Sequence, residues 1–255
     1  MKKLRSLRSL SLAVAGVFVL NSSPAATFDD VQYWVGSGAN RAAFVIDWND
    51  GKSAESLLWG FRWDGAATGL DMFQAVVNSD SRLFAHLGVF GFGTAVMGLG
   101  YDLNGNDTFG VSPVVSFDGG GLRIDPGTES NFSDARVATE AGDHYVEGWS
   151  SGYWSYYLKP SEAAAWDYAS SGAAQRNLSD GVWDGWSFSP GFVDSIPSEP
   201  LAAAPVLVCL DEFPVLGFMR QLQSAGYSRC RSWDHGRTSS TGCWWRMRRG
   251  LRASG

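Results

Sequence analysis

The first 208 residues of this 255-residue chain contain no cysteine, because Cys209, Cys230 and Cys243 are the only three. Disulfides, thiolate metal ligands and a thiol nucleophile are therefore excluded there, and packing alone must hold that part together. No uncharged apolar run of about 18 residues lies in the middle of the chain, which excludes a polytopic membrane protein. Proline is scarce, with nine residues against 31 glycines, and the chain contains 12 tryptophans. This composition indicates a turn-rich, β-dominated fold and excludes wholesale disorder.

Basic residues are also scarce in the central part, where residues 27–200 carry eight Lys or Arg against 23 Asp or Glu. The net charge of this part is thus −15, whereas residues 1–26 carry +4 and residues 201–255 carry +5. A body of this charge repels phosphate backbones and anionic lipid, so nucleic acid is not an expected partner. The charges divide the chain into a basic start, an acidic body and a basic end.

Residues 1–26 have the pattern of a secretory signal peptide. Four basic residues precede an apolar stretch over 11–20, and small residues follow up to Ala25 and Ala26. Cleavage after either alanine fits, and ten apolar residues are too few to span a bilayer. The sequence thus predicts export, with a signal peptide over 1–26, an acidic aromatic-rich domain over 27–196, and a basic segment over 197–255.

The basic segment resembles a PEP-CTERM sorting tail. Ser198-Glu199-Pro200 precedes an apolar run over 201–210, and the chain ends in an Arg-rich stretch. The resemblance implies processing by an exosortase in a Gram-negative bacterium, and a location at the cell surface or outside the cell. The segment departs from the family because Ser replaces the first Pro, the apolar run breaks at Asp211-Glu212, and the arginines are scattered. A frameshift after Pro200 would explain these departures, and a poorly folded basic tail is the alternative.

The body is predicted to be of the α+β class, with an antiparallel or mixed sheet and one main helix. Asn49-Asp50-Gly51 separates two β-rich runs and predicts a hairpin. Thr68 and Asp71 form a capping-box pattern at the start of the helix, which fades near residue 80. The predicted strands are 41–48, 56–63, 93–101, 144–149, 153–158 and 182–188, with irregular structure over 110–140 and a short second helix over 160–172.

The order of these elements suggests a β-grasp-like layout, and part of it resembles the transcobalamin-like C-terminal domain. The resemblance rests on Gly152-Tyr-Trp-Ser-Tyr-Tyr157, the stretch 172–178, the turn at Asp180-Gly181, and Trp186-Ser-Phe188. It implies a cobalamin-like or other small-ligand role. The Asn-Gly that the family has after the aromatic strand is missing here. An ordinary antiparallel sheet with these rings in its core is the alternative.

Aromatic side chains are the first candidate binding site. Trp59, Phe61 and Trp63 share one face of their strand because side chains alternate. If exposed, such a row could stack on sugar rings or on a corrin edge, and if buried it is core. The predicted ligand-binding residues are Trp59, Phe61, Trp63, Trp154, Tyr156 and Trp186.

A second candidate is a calcium site, since no other cofactor is required by any motif. Asp102, Asn104, Asn106 and Asp107 place oxygen ligands at mostly alternating positions. An EF-hand is excluded because its sixth and twelfth positions would be Asp107 and Pro113, not Gly and Glu. A looser Ca²⁺-binding turn and a plain solvated turn both remain open.

Catalytic patterns are weak. Gly148, Ser150 and Gly152 satisfy the Gly-x-Ser-x-Gly spacing, but a strand-like run follows where a nucleophile elbow needs a helix. His86 and His144 are the only histidines of the body, and nothing in the sequence fixes their spacing in space. We therefore expect a non-catalytic, exported surface or matrix protein; the alternative is an extracellular binding module for a small ligand, either cobalamin-like or a glycan.

Overall fold

The computed structural model describes residues 25–204. Within them, α1 spans Gly69–Ser79, and single 3-10 turns lie at Phe28–Asp30 and Glu129–Asn131. The strands are Trp34–Gly36 (β1), Asn40–Asp47 (β2), Ser56–Trp63 (β3), Leu83–Phe90 (β4), Gly93–Tyr101 (β5), Val111–Ser112 (β6), Leu122–Pro126 (β7), Val137–Ala138 (β8), His144–Glu147 (β9), Gly152–Lys159 (β10), Asp167–Tyr168 (β11), Trp183–Pro190 (β12) and Leu201–Ala202 (β13). The expected β-dominated α+β class is confirmed.

Two main sheets organise these strands. The larger has the order β1-β3-β2-β12-β10-β11, with β13 also paired to β3. It is mixed, because β2 runs antiparallel to β3 and parallel to β12, while β10 runs antiparallel to β12. The smaller sheet has the order β7-β4-β5-β9. The predicted β2–β3 hairpin is confirmed, with Phe44 opposite Trp59.

The main helix begins and packs as its sequence predicts. Thr68 Oγ1 accepts from the Asp71 main-chain N–H at 3.2 Å, and Asp71 Oδ2 accepts from the Thr68 N–H at 2.8 Å. This reciprocal pair satisfies two of the unpaired N–H groups at the helix start. The Phe73 ring packs edge-on against Phe44 and Trp186, with centroids 5.7 Å apart in both pairs. The helix therefore covers the middle of the larger sheet.

Both faces of the larger sheet are covered. One face carries Phe44, Trp59 and Trp186 and packs with α1 and the smaller sheet into the main core. The other face carries Val45 and Trp183 and packs beneath the segment that starts at Ala26. Coverage on both sides explains why β2 and β3 are buried along most of their length instead of alternating.

Three sequence expectations need correction. The helix expected over 160–172 is wrong, because the chain makes a turn near Ser161 and then pairs Tyr168 with Tyr157 as β11. Strand β4 was not expected, although Leu83, Ala85 and Leu87 alternate as a half-buried strand requires. The packed region also continues past residue 196, since Leu201 pairs with Leu57 and Ala203 is buried.

None of the helices in the described part of the chain is long and apolar enough to cross a membrane. The predicted signal peptide over 1–26 lies almost entirely outside the described residues, and the predicted sorting segment lies outside them after Ala204. Export, sorting and the frameshift therefore remain predictions.

Candidate functional site

A groove with a volume of about 510 Å³ lies on the described part of the chain. Strands β5 and β10, the segment over 168–175 and the turn after β12 form its walls. We call it the aromatic groove. Nine aromatic side chains line it, and they are Phe90, Phe92, Trp149, Tyr153, Trp154, Tyr156, Tyr168, Trp186 and Phe192. Its volume lies within the range of small-molecule sites.

The floor of the aromatic groove is nearly closed to solvent, and its rim is open. On the floor, the rings of Tyr156 and Trp186 stack with centroids 4.5 Å apart. On the rim, Phe92 is 79% exposed, and Tyr168 and Phe192 are both 54% exposed. Large apolar rings at such exposure are costly in water unless something covers them. The groove thus presents flat faces to a partner without requiring the core to open.

Stacked ring pairs hold the rim in place. Phe92 lies against Phe90 at 5.0 Å and 10°, and Phe90 lies against Trp149 at 6.2 Å and 15°. At another part of the rim, Tyr153 stacks on Phe192 at 5.9 Å. Such offset stacks fix the ring planes before any ligand arrives. The rim is therefore a preorganised set of platforms.

No charged side chain lines the aromatic groove, although the body around it is strongly acidic. Its polar lining includes, besides the tyrosines, the hydroxyl and amide side chains of Thr94, Ser170, Ser171 and Gln175. The hydrogen bond to Asp194, at 2.5 Å, raises the pKa of Tyr153 to about 12. Burial and the nearby Asp184 raise the pKa of Tyr156 as well. Both tyrosines stay neutral, so the groove suits an uncharged ligand.

The structure divides the six predicted ligand-binding residues into two groups. Trp154, Tyr156 and Trp186 come together on the floor of the aromatic groove. Trp59, Phe61 and Trp63 belong to the main core instead, at 0%, 7% and 6% exposure. The indole N–H of Trp59 donates to Asp80 Oδ2 at 3.0 Å, so even its polar edge is used internally. Burial leaves this row unavailable to a ligand.

Sequence reasoning missed the rim. Phe92 lies between two strands in the run Phe90-Gly91-Phe92, and Phe192 lies in a Pro-Gly turn. Phe192 has φ of 61°, a left-handed conformation that is rare for an aromatic residue. The signal that sequence inspection could have used is the position of both phenylalanines next to glycine and proline turn residues, where an aromatic side chain has no strand or helix face to pack on.

Ser150 lies in the turn between β9 and β10. Its hydroxyl donates to the carboxylate of Asp134, which also accepts the main-chain N–H groups of Trp149, Ser150 and Ser151. Burial opposes ionisation of Asp134, but these four donors outweigh it and lower its pKa. In the described structure no histidine contacts Ser150. The side chain of Asp134 therefore fixes the turn that carries Trp149 into the groove.

Both histidines of the body are fully buried and paired with carboxylates. His86 Nε2 lies 2.9 Å from Asp125 Oδ2 and its Nδ1 lies 3.5 Å from Glu147 Oε2. His144 Nδ1 lies 2.9 Å from Asp50 Oδ2. No group of three or more His, Cys, Asp or Glu side chains within residues 25–204 is arranged to hold a metal ion. The histidines thus join separate loops and strands to one another.

The predicted calcium residues share one loop, but not one role. Asp102 is buried and accepts the main-chain N–H groups of residues 105, 106 and 107. Asn104 and Asn106 donate their amide N–H groups to Glu140, which the sequence did not bring into the site. The side chain of Asp107 is exposed, and only its main-chain N–H takes part in the hydrogen bonds of the loop.

Comparison with protein-family models, curated proteins and solved structures finds no match to this chain. Its function must therefore be argued from its own residues.

Proposed function

We propose that this protein is an exported, non-catalytic binding module that holds an uncharged glycan in the aromatic groove. The observation that carries the proposal is the combination of exposed, preorganised aromatic rings with a lining free of charged side chains. Sugar rings present flat C–H faces that stack on aromatic rings, and hydroxyls that bond to serine, threonine and glutamine side chains. Both kinds of group line this groove.

A corrin is the competing ligand. The residues that carry the resemblance to the transcobalamin-like domain include Gly152, Trp154, Tyr156 and Trp186, and all of them line the aromatic groove. The parallel pairing of the first hairpin strand β2 with the late strand β12, with α1 packed across them, supports the same resemblance. We favour the glycan because the rim platforms lie along an open groove, whereas a single large macrocycle calls for a deeper pocket.

Export and surface retention form the second part of the proposal. The signal-peptide pattern over 1–26 and the PEP-CTERM-like order over 198–255 support it, through an exosortase-type sorting partner. A contact at the predicted cleavage site supports cleavage after Ala25. The main-chain N–H of Ala26 donates to the Glu199 carboxylate. A new α-amino group at Ala26 would therefore meet a negative charge.

The ligand class is tested by titrating the purified protein with three kinds of compound. They are neutral oligosaccharides such as cello- and xylo-oligomers, anionic oligosaccharides such as oligogalacturonate, and cobalamin. We expect saturable heat or tryptophan fluorescence change with a neutral oligosaccharide, and weaker or no response with the anionic one. Binding of cobalamin alone would replace the glycan by the corrin. No heat and no fluorescence change with any of the three kinds of compound would contradict the proposed function.

Export is tested separately by expressing the full chain in a Gram-negative host and sequencing the N-terminus of the secreted form. We expect an N-terminus at Ala26 or Thr27. Retention of Met1 in a cytosolic product would contradict export. The frameshift hypothesis is tested by the DNA sequence after Pro200. If neither of the two alternative reading frames encodes an apolar helix followed by arginines, the hypothesis is wrong.

A further inference from the structure

Two loops meet at one end of the smaller sheet, away from the residues that line the groove. One loop follows β5 and the other precedes β9, and they are adjacent because Tyr101 pairs with His144. Asn104 Nδ2 donates to Glu140 Oε2 at 2.8 Å and to Asp143 Oδ1 at 3.3 Å. We call the residues Asp102, Asn104, Asn106, Glu140 and Asp143 the acidic loop cluster.

Two carboxylates of this cluster are buried, at 2% exposure for Asp102 and 1% for Asp143. Both oxygens of Asp102 accept main-chain N–H groups of its own loop. Asp143 differs, since Oδ1 accepts the Leu103 N–H at 3.1 Å, whereas Oδ2 is buried without a hydrogen-bond partner. A buried carboxylate oxygen with no partner is costly.

No cation in the described residues neutralises this charge. Asp102, Glu140 and Asp143 take part in none of the ion pairs within residues 25–204. Lys52 is the neighbouring cation, but its ammonium group donates to the main-chain oxygen of Asp143 and lies 3.7 Å from Asp50. The cluster therefore holds more negative charge than its surroundings compensate.

We infer that the acidic loop cluster binds a calcium ion, with Asp143 Oδ2 and the Glu140 carboxylate as its charged ligands. Buried charges in proteins are paired or coordinate metals, and Ca²⁺ accepts six to eight oxygens in flexible geometry. Within residues 25–204, no three His, Cys, Asp or Glu side chains are close enough together to hold a metal ion. Two carboxylates must therefore be completed by other oxygen ligands, such as side-chain amides. Asn104 and Asn106 are the amides beside these carboxylates. Their N–H groups donate to Glu140 and Asp143, and their Oδ1 atoms accept the main-chain N–H groups of Asn106 and Thr108, so an ion recruits them only when these side chains turn their oxygens inward.

This site is independent of the aromatic groove and of the glycan proposal. It also differs from the loop that the sequence suggested, because Glu140 and Asp143 replace Asp102 and Asp107 as the carboxylate ligands. Asp102 instead shapes the loop through its three main-chain hydrogen bonds. A bound ion would therefore join the loop after β5 to the loop before β9.

The test uses the purified full chain after treatment with a chelator. Thermal unfolding is followed with and without Ca²⁺, and Tb³⁺ luminescence is excited through aromatic residues. Trp48 stacks on His144, next to Asp143, and Tyr101 adjoins Asp102, so both are placed to sensitise Tb³⁺. We expect 1:1 binding with a dissociation constant on the order of 10⁻⁴ to 10⁻³ M, as in extracellular modules. At saturating Ca²⁺ the Tm should rise by about 5 °C or more.

Matched variants distinguish Ca²⁺ binding at this site from nonspecific attraction of Ca²⁺ to the negatively charged surface. Asp143→Asn keeps the size of the side chain and Glu140→Gln changes a less buried position, and we expect each to weaken Ca²⁺ binding at least tenfold. Asp29→Asn removes an exposed charge elsewhere and should leave binding unchanged. If 10 mM Ca²⁺ changes neither Tm nor Tb³⁺ luminescence, or if Glu140→Gln binds as the parent does, the inference is overturned.

Discussion

Two sets of aromatic residues in this molecule have the same chemistry and opposite environments. The row on β3, formed by Trp59, Phe61 and Trp63, is covered by α1 and the smaller sheet and is part of the main core. The rim of the aromatic groove, which includes Phe92 and Phe192, has no such cover in the described structure. The difference shows that neighbouring elements, not residue type, decide whether an aromatic strand face becomes core or surface.

The largest expected effect comes from truncating the covered set. Trp59→Ala removes a fully buried indole and takes from Asp80 Oδ2 the shorter of its two hydrogen bonds, leaving only the one from the Tyr101 hydroxyl at 3.5 Å. We expect a loss of about 3–5 kcal/mol in the free energy of unfolding, measured by urea denaturation. Trp149→Ala, on the rim side, should cost much less because its ring is only partly buried. An equal loss of unfolding free energy in the two variants would contradict the assignment of Trp59 to the core and Trp149 to the groove.

A second effect concerns the buried charges beneath the smaller sheet. Burial opposes ionisation of Glu147, but hydrogen bonds from His86, Tyr145 and the Ser133 N–H outweigh it and lower its pKa below 4.5. A carboxyl with a lowered pKa stabilises the fold above its unfolded-state pKa and loses that contribution as pH falls. Stability should therefore drop below about pH 4.5.

Glu147→Gln isolates that contribution. At pH 7 the variant should lose about 3 kcal/mol, because Arg136 and His86 lose their charged partner in a buried site. Its stability should also depend less on pH between 5 and 3, as followed by urea denaturation at several pH values. A pH profile parallel to that of the parent would show that Glu147 does not carry the acid sensitivity.

A smaller loss of stability is expected when the start of α1, the helix that covers the larger sheet, is weakened. Thr68→Ala removes the side-chain half of the capping box of α1 and should cost about 1 kcal/mol. Ligand binding should remain, because no residue of α1 lines the aromatic groove. Loss of binding in this variant, at full folding, would mean that the helix supports the groove directly.

An effect on stability no larger than that of Thr68→Ala should come from the turn that positions Trp149. Asp134→Ala removes the acceptor of four hydrogen bonds in an otherwise solvated turn. We expect a cost near 1 kcal/mol in stability but a several-fold weaker binding of the neutral oligosaccharide. Binding should also weaken in the parent as pH falls through the lowered pKa of Asp134, and this weakening should be absent in the variant.

The sequence predicted those parts of the fold that depend on local chemistry. The β2–β3 hairpin followed from a turn signal between two β-rich runs, and α1 followed from its cap and its apolar face. The expected helix over 160–172 failed because long-range pairing of Tyr168 with Tyr157 outweighed local helix propensity. Strand β4 was missed because it follows the helix directly, with only residues 80–82 between them.

Only the part of the site that lies on regular strands could be predicted from the sequence. Trp154, Tyr156 and Trp186 were chosen from strand patterns, and they form the floor of the groove. The rim residues Phe92, Trp149 and Phe192 lie in turns, whose position depends on how the strands on either side of them pair. Similarly, Asp102 and Asn104 were visible as a loop motif, whereas Glu140 and Asp143 lie more than 30 residues away and join them only through strand pairing.

The uncovered aromatic rings form the proposed binding site of this protein. The most direct test is native electrophoresis of the purified protein through gels with and without a neutral polysaccharide that the titration identifies. We predict that the parent and Ile124→Ala, an exposed apolar control on β7, are retarded, whereas Trp149→Ala and Phe92→Ala migrate freely. Equal retardation of all four proteins would contradict the assignment of the groove.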